Sequence, residues 1–287
     1  VKDLTLSGNL NGSTFLLTVN GDVNITGTLT GSGGVTFTGS GTDIDGTATI
    51  ANTGTMTFGN SRTILGTANL TFAGPISIAS GVTVTNNGTV TTMAAGGISG
   101  AAVSSTWVNG ANSSLTIAGP LLTTGTLTAS ASPNTITYNG TSAGQTIKAA
   151  IYHHLVINKM TQTATLGGAA TVNSSLTVTS GTLDLGTFSM SGGAVTLTDG
   201  SILSTSGVLT GTSFTFDNGT VTAILAGTGA TLTKNTTGTV TLSGANTFTG
   251  AVAVNDGVLN IQSNTALGTT AGGVTVASGA GLELQGG

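Results

Sequence analysis

The sequence predicts an all-β fold, a right-handed parallel β-helix (β-solenoid) of about a dozen coils. Three observations predict it. Apolar residues alternate with Thr or Ser over short segments, as in "NITGTLTG" (24–31) and "GVTVTNNG" (81–88). Glycine, Asn or Asp interrupts the alternation about every 7 to 12 residues. The same unit then recurs through all 287 residues without the distinctive connections that a closed sandwich or barrel needs.

Each component follows from its residues. A period of two places Leu, Val, Ile and Phe on one side of a strand and Thr or Ser on the other. Thr, Val and Ile suit strands, whereas Glu, Lys, Gln and Arg are too scarce to surface a helix. Gly and Asn supply the corners, where left-handed backbone is required. Like residues on successive coils stack, and each coil covers the open edge of the one before. At on the order of 20 to 25 residues per coil, one continuous solenoid over 1–287 would be a rod roughly 55 to 65 Å long. The right hand follows from the usual crossover preference.

Composition excludes several function classes. Charged residues are 5% and the net charge is −4, so no basic patch exists for nucleic acid or anionic lipid. With 38% hydrophobic residues in alternation, the chain does not have the composition of a disordered protein. There are no cysteines, hence no disulfide framework and no thiolate metal or redox site. No apolar run reaches the length of a membrane-spanning helix, and no membrane insertion is expected of this segment. The chain starts at Val1 in mid-pattern and ends at Gly286-Gly287 after a strand-like "LELQ", which reads as a piece of a longer polypeptide.

Two stretches carry a resemblance. The segment 232–287, with "GTVTLSGANTFTG" (238–250), "VNDGVLNI" (254–261), "ALG" from Ala266 and "VASGAGLEL" ending at Leu284, resembles the autotransporter-associated β-strand repeat. The segment 105–158, with "STWVNGANSSLTIAG", "GTLTASASPNTITYNG" and "QTIKAAIYHHLVIN", resembles the β-strand cassettes of giant bacterial surface proteins. These resemblances imply a β-helical passenger region of a secreted or cell-surface bacterial protein, many of which are adhesins.

Candidate chemistry concentrates in "QTIKAAIYHHLVINK" (145–159), which holds both histidines. Leu155 and Ile157 are the inward pair, so His154 and Val156 face out, and His153 sits at a corner. Neighbouring histidines of a regular strand point to opposite faces and cannot share one metal ion. Asp43 and Asp45 share a strand face, as paired catalytic or calcium-binding carboxylates would. Their surroundings supply neither further ligands nor the Arg and Lys of a lyase groove, so corner aspartates are expected. No nucleophile elbow, zinc-protease helix, Walker loop or dinucleotide fingerprint occurs. The expectation is no enzyme, no catalytic, cofactor-binding or metal residues, and no cofactor. Trp107, Tyr138 and Tyr152 could stack on sugars if exposed, and otherwise cap the core. Asn-x-Ser/Thr sequons occur at about the frequency chance allows and support no glycosylation.

Thr-x-Thr is the commonest polar motif, for example Thr55/Thr57 and Thr239/Thr241. An ice-binding face needs one such pair per coil, and the irregular gaps indicate pairs spread over more than one face. The leading functional expectation is a non-enzymatic structural segment, a rod, stalk or extracellular fibre at the bacterial surface. Its partners would be copies of itself or neighbouring segments of the same long chain. The alternative is an adhesin passenger that binds surface glycans or another cell, with 93–105 and the region from Trp107 to Tyr152 as the candidate platform. An ice-binding solenoid or a polysaccharide-degrading β-helix ranks below both.

Overall fold

The structure, a computed structural model, describes residues 1–93 and 96–285. Among the described residues every regular element is a strand, and each pairing of neighbouring coils is parallel. The chain is a β-solenoid of about 14 turns. Its contacts group into two compact units, Val1–Ser142 and Ala143–Gly287.

In the first unit each coil contributes to three sheets. The first face stacks seven strands, among them Leu4–Leu6, Val23–Ile25, Asp43–Asp45, Arg62–Ile64 and Thr106–Asn109. The second carries Thr28–Gly31, Thr47–Asn52, Asn69–Phe72, Thr89–Thr92, Ser114–Ile117 and Thr135–Tyr138. The third has five, from Leu17–Val19 to Ile98–Gly100. Along the first face the coil length runs from 19 residues (Leu4 to Val23) to 23 (Asn86 to Asn109). The sheets do not absorb this variation; the corners do.

The second unit repeats the three-sided plan. Two strands, Ile151–Leu166 and Ala170–Asp184, run on through corners where the other coils break. Coils here range from 16 residues (Leu209 to Leu225) to 23 (Ile261 to Leu284).

Alternation places the cores. Leu70, Val90, Leu115 and Ile136 stack in register and are fully buried, as are Leu176, Val195, Phe214 and Leu232 in the second unit. Stacked apolar residues of this kind contribute roughly 1.5 to 3 kcal/mol each against exposure. One column of corners illustrates why glycine recurs. Gly181, Gly200 and Gly219 stand above one another with φ of 80°, 111° and 129°. A Cβ on Gly200 would lie 2.0 Å from the Gly181 carbonyl oxygen. Conformation and space both demand glycine there.

Candidate functional site

Buried polar side chains hold the corners, and they absorb three of the five basic residues. Arg62 heads an inward position of its strand, and its guanidinium lies inside the first unit. Nη1 donates to the Gly21 carbonyl (2.6 Å), Nη2 to the Thr38 carbonyl (2.9 Å) and Nε to Asn60 Oδ1 (3.2 Å). Asn60 Nδ2 in turn donates to the carbonyls of Gly39 (2.8 Å) and Gly41 (2.9 Å). One Arg–Asn pair thus ties the corners of three successive coils. The guanidinium also lies 5.4 Å from the centroid of the Phe37 ring. Burial lowers the Arg62 pKa, the Asp22 charge opposes the shift, and the group remains a cation.

In the second unit Lys159 is fully buried and donates to Gln145 Oε1 (3.1 Å). Lys234 is also fully buried and donates to the Thr236 and Asp256 carbonyls. Burial lowers both lysine pKa values; at Lys234 the charges of Asp217 and Asp256 oppose it. Sequence reading missed these three as internal residues. The only available signal was their inward parity, as Arg62 two before Ile64 and Lys234 two after Leu232.

Asp43 and Asp45 do face outward on one strand, with Ile44 inward between them. Asp45 Oδ1 accepts from the Gly46 amide and from Thr67 Oγ1, both at 2.8 Å. Asp22 Oδ1 accepts from the amides of Thr42 (2.8 Å) and Asp43 (3.1 Å), and Asp3 Oδ1 accepts from the Asp22 amide (3.0 Å). The Asp43 and Thr42 amide bonds hold the Asp22 carboxyl below its ordinary pKa. These carboxylates tie one coil's corner to the next. Among the described residues no group of three or more His, Cys, Asp or Glu side chains converges as a metal site would.

The histidine stretch departs from expectation in one respect. Leu155 and Ile157 are buried inward, as predicted. His153 and His154 do not point to opposite faces. The pairing with Ala170–Asp184 shifts register between Tyr152 and His154, and the two half-buried rings lie 4.4 Å apart, tilted by 54°. The regular-strand premise fails at this bulge. His154 Nδ1 shares a hydrogen bond with Ser175 Oγ (2.6 Å), and His153 Nδ1 is buried without a partner. Burial lowers the His154 pKa, and His153 adds to the shift.

The three aromatics with a polar handle take the core-capping alternative and offer no sugar-stacking surface. Trp107, Tyr138 and Tyr152 are all fully buried, and the Trp107 Nε1 has no hydrogen-bond partner. Each occupies an inward position of its strand, so none can stack on a glycan. In the candidate segment 93–105 Met93 and Val103 are exposed, while Ala94 and Ala95 lie outside the described residues, as do Gly286 and Gly287.

The Thr-x-Thr pairs do fall on several faces. One face of the first unit nevertheless collects them in register. Thr49, Thr71, Thr91, Thr116 and Thr137 form one row, and Thr47, Asn69, Thr89, Ser114 and Thr135 the row beside it. The coils between them are 20 to 25 residues long, from Thr71 to Thr91 and from Thr91 to Thr116. Unequal corners conceal equal spacing.

In the last third, Asn246 of "GANTFTG" is buried between coils. Its Oδ1 accepts from the Leu225 amide (2.8 Å) and its Nδ2 donates to the Ala266 carbonyl (2.7 Å). The side chain supplies the ladder bonds where no strand is present. Phe248 is buried with its ring 5.8 Å from that of Phe214.

Residues 232–261 match the family described as the passenger-associated-transport-repeat. Over 134 residues, 45% of this chain, the sequence is 35% identical to the adhesin BmaC autotransporter of Brucella suis biovar 1 (strain 1330). That stretch is 4% of the relative's length, so the chain corresponds to a small part of it. No solved structure gives a significant match. The chain is thus similar to the autotransporter-associated repeat proteins that its motifs resemble.

Proposed function

We propose that this chain is a non-enzymatic structural segment of a large bacterial surface or secreted protein, serving as a stiff spacer. The observation that carries the reading is the passenger repeat at 232–261 set within coil after coil of parallel pairing. Multiply bonded polar side chains such as Arg62, Asn60, Lys234 and Asn246 fasten corners. Such cross-coil ties favour rigidity and resistance to proteolysis. The low charge leaves outward Thr faces with little electrostatic protection against association, so lateral or end-to-end assembly with copies of itself is part of the proposal.

Negative-stain electron microscopy of the native-length protein at the cell surface tests this reading. Long uniform fibres, or separate rods projecting from cells, support it; compact particles without an elongated part overturn it. A monodisperse monomer at all concentrations removes the assembly component.

A second reading is favoured by the relative's name: an adhesin passenger. Its recognition surface must then lie outside Trp107, Tyr138 and Tyr152. Exposed Met93 and Val103 mark the remaining candidate segment. Absence of binding on both a glycan array and host cells counts against it.

A further inference from the structure

The two aligned rows on the second face of the first unit form a two-dimensional array. Five consecutive strands contribute, Thr47–Asn52, Asn69–Phe72, Thr89–Thr92, Ser114–Ile117 and Thr135–Tyr138. Of the ten outward positions, eight are threonine, one is Asn69 and one is Ser114. None is charged and none is aromatic. None of these ten side chains makes a hydrogen bond among the described residues, although outward residues elsewhere do, such as Thr38, Thr67 and Ser99. Their hydroxyls are therefore left to solvent.

The array is also stiff. Threonine is restricted at χ1 by its branched Cβ. The layer beneath it, Leu70, Val90, Leu115 and Ile136 in one column and Phe72, Ile117 and Tyr138 in the next, is fully buried. Even Thr92, which takes an inward place in that second column, is fixed, its Oγ1 accepting the Ala118 amide at 3.2 Å. The repeat is about 4.8 Å from coil to coil and roughly 6.6 Å from one outward residue to the next along a strand. Hexagonal ice repeats its oxygen positions at distances of the same order on its exposed faces, the match being nearer from coil to coil than along the strand.

We propose that this face binds ice, the paired rows of hydroxyl and methyl groups ordering water into the first layer of the lattice. A peptide or nucleic acid would read individual charges or pockets, and a sugar would be stacked on aromatic rings. The array offers a lattice and nothing else. What it matches is a ligand that is itself a lattice and uncharged. Because the ordering groups are preset by the solenoid, little conformational entropy is lost on binding. The other faces of this unit lack the array: the first is interrupted by Asp43, Asp45 and Val108, and the third offers one outward position per strand, as at Thr57 and Ser77.

The proposal is independent of the spacer function and is tested on the 287-residue chain with ice itself as the probe. Fluorescently labelled protein is presented to a growing polycrystalline ice surface in dilute buffer, with an inert globular protein as control. The expected result is incorporation into the ice, with slowed recrystallisation of fine-grained ice. Thr91→Tyr, at the centre of the array and pointing outward, is expected to reduce incorporation to the control level. Thr85→Tyr, outward on the first face, is expected to retain it. Circular dichroism of both variants confirms the fold, and Thr116→Tyr substitutes for Thr91→Tyr if the latter fails to fold. Exclusion of the wild-type chain from ice overturns the proposal. Equal loss in the Thr85 and Thr91 variants overturns the assignment to this face, as does binding to an insoluble polysaccharide but not to ice.

Discussion

Replacing Arg62 by methionine is the sharpest test of how the corners are held. Two opposed effects decide the outcome. Methionine spares the chain the cost of burying a cation, and replacement of buried charges by apolar residues can stabilise a protein by about 1 to 4 kcal/mol. That gain applies when all members of the polar group are replaced together. Here the acceptors are the backbone carbonyls of Gly21 and Thr38, which no substitution removes. Each buried carbonyl left without a donor costs about 1 to 3 kcal/mol. Two of them, with the Asn60 carboxamide also losing a donor, give an expected loss of about 2 to 4 kcal/mol. The stem of methionine keeps most of the packing on Phe37, so a cavity contributes little. Arg62→Lys should fall between the two, because an ammonium lacks the planar fork that reaches both carbonyls. Urea denaturation followed by circular dichroism gives the change in midpoint at constant slope. Hydrogen exchange at the amides of residues 19–64 locates it, since coils couple chiefly to their neighbours. A midpoint for Arg62→Met at or above wild type would refute the reasoning, because relief of charge burial would then exceed the cost of the orphaned carbonyls.

Three further outcomes are expected. Gly200→Ala meets both a φ of 111° and the Gly181 carbonyl oxygen 2.0 Å from the new Cβ, so a loss of at least about 2 kcal/mol is expected in the same melt. Asn246→Ala leaves the Leu225 amide and the Ala266 carbonyl without partners, a loss of about 2 to 4 kcal/mol that hydrogen exchange should show first at Leu225. The pKa of His154 is lower in the folded chain than the ordinary value near 6.5. Between the two values the unfolded chain binds more protons, so its contribution to stability is full above about pH 6.5 and declines as the pH falls through that window. Melting temperatures measured across it should show that slope, and His154→Gln should flatten it.

The fold was legible because its signal is strictly local. Alternation over segments such as "GVTFTGSG" assigns an inward and an outward set by parity alone, and Val35 and Phe37 are buried accordingly. Asp43 and Asp45 were legible for the same reason. The internal cations were not, because parity places Arg62 inward while residue type places it outside, and only its carbonyl acceptors on other coils, those of Gly21 and Thr38, settle the conflict. Those acceptors are up to 41 residues away. Trp107 and the two tyrosines raise the opposite difficulty: parity places them inward, but a polar handle suggests a surface role that their complete burial excludes. At His153 and His154 parity itself fails, since a bulge resets the count between Tyr152 and His154.

The threonine rows show why function is harder to read than fold in a solenoid. Coil length is set by corners, and corner residues can be inserted without disturbing the sheets, as the 25 residues from Thr91 to Thr116 demonstrate beside the 20 from Thr71 to Thr91. A repeat in space therefore need not be a repeat in sequence. The inward column and the corner ties bear the stability, so substitution of outward residues on a regular strand should fall within about 0.5 kcal/mol of wild type. Outward rows are thus free to vary independently of the fold. A row that keeps threonine in five successive coils while its neighbour on the first face passes through Thr85, Val108 and Thr128 is uniform without a packing reason to be so. Strand preference and stacking of like residues favour threonine at each outward position singly, and under the ice-binding proposal it is the solid ligand that keeps the row unbroken.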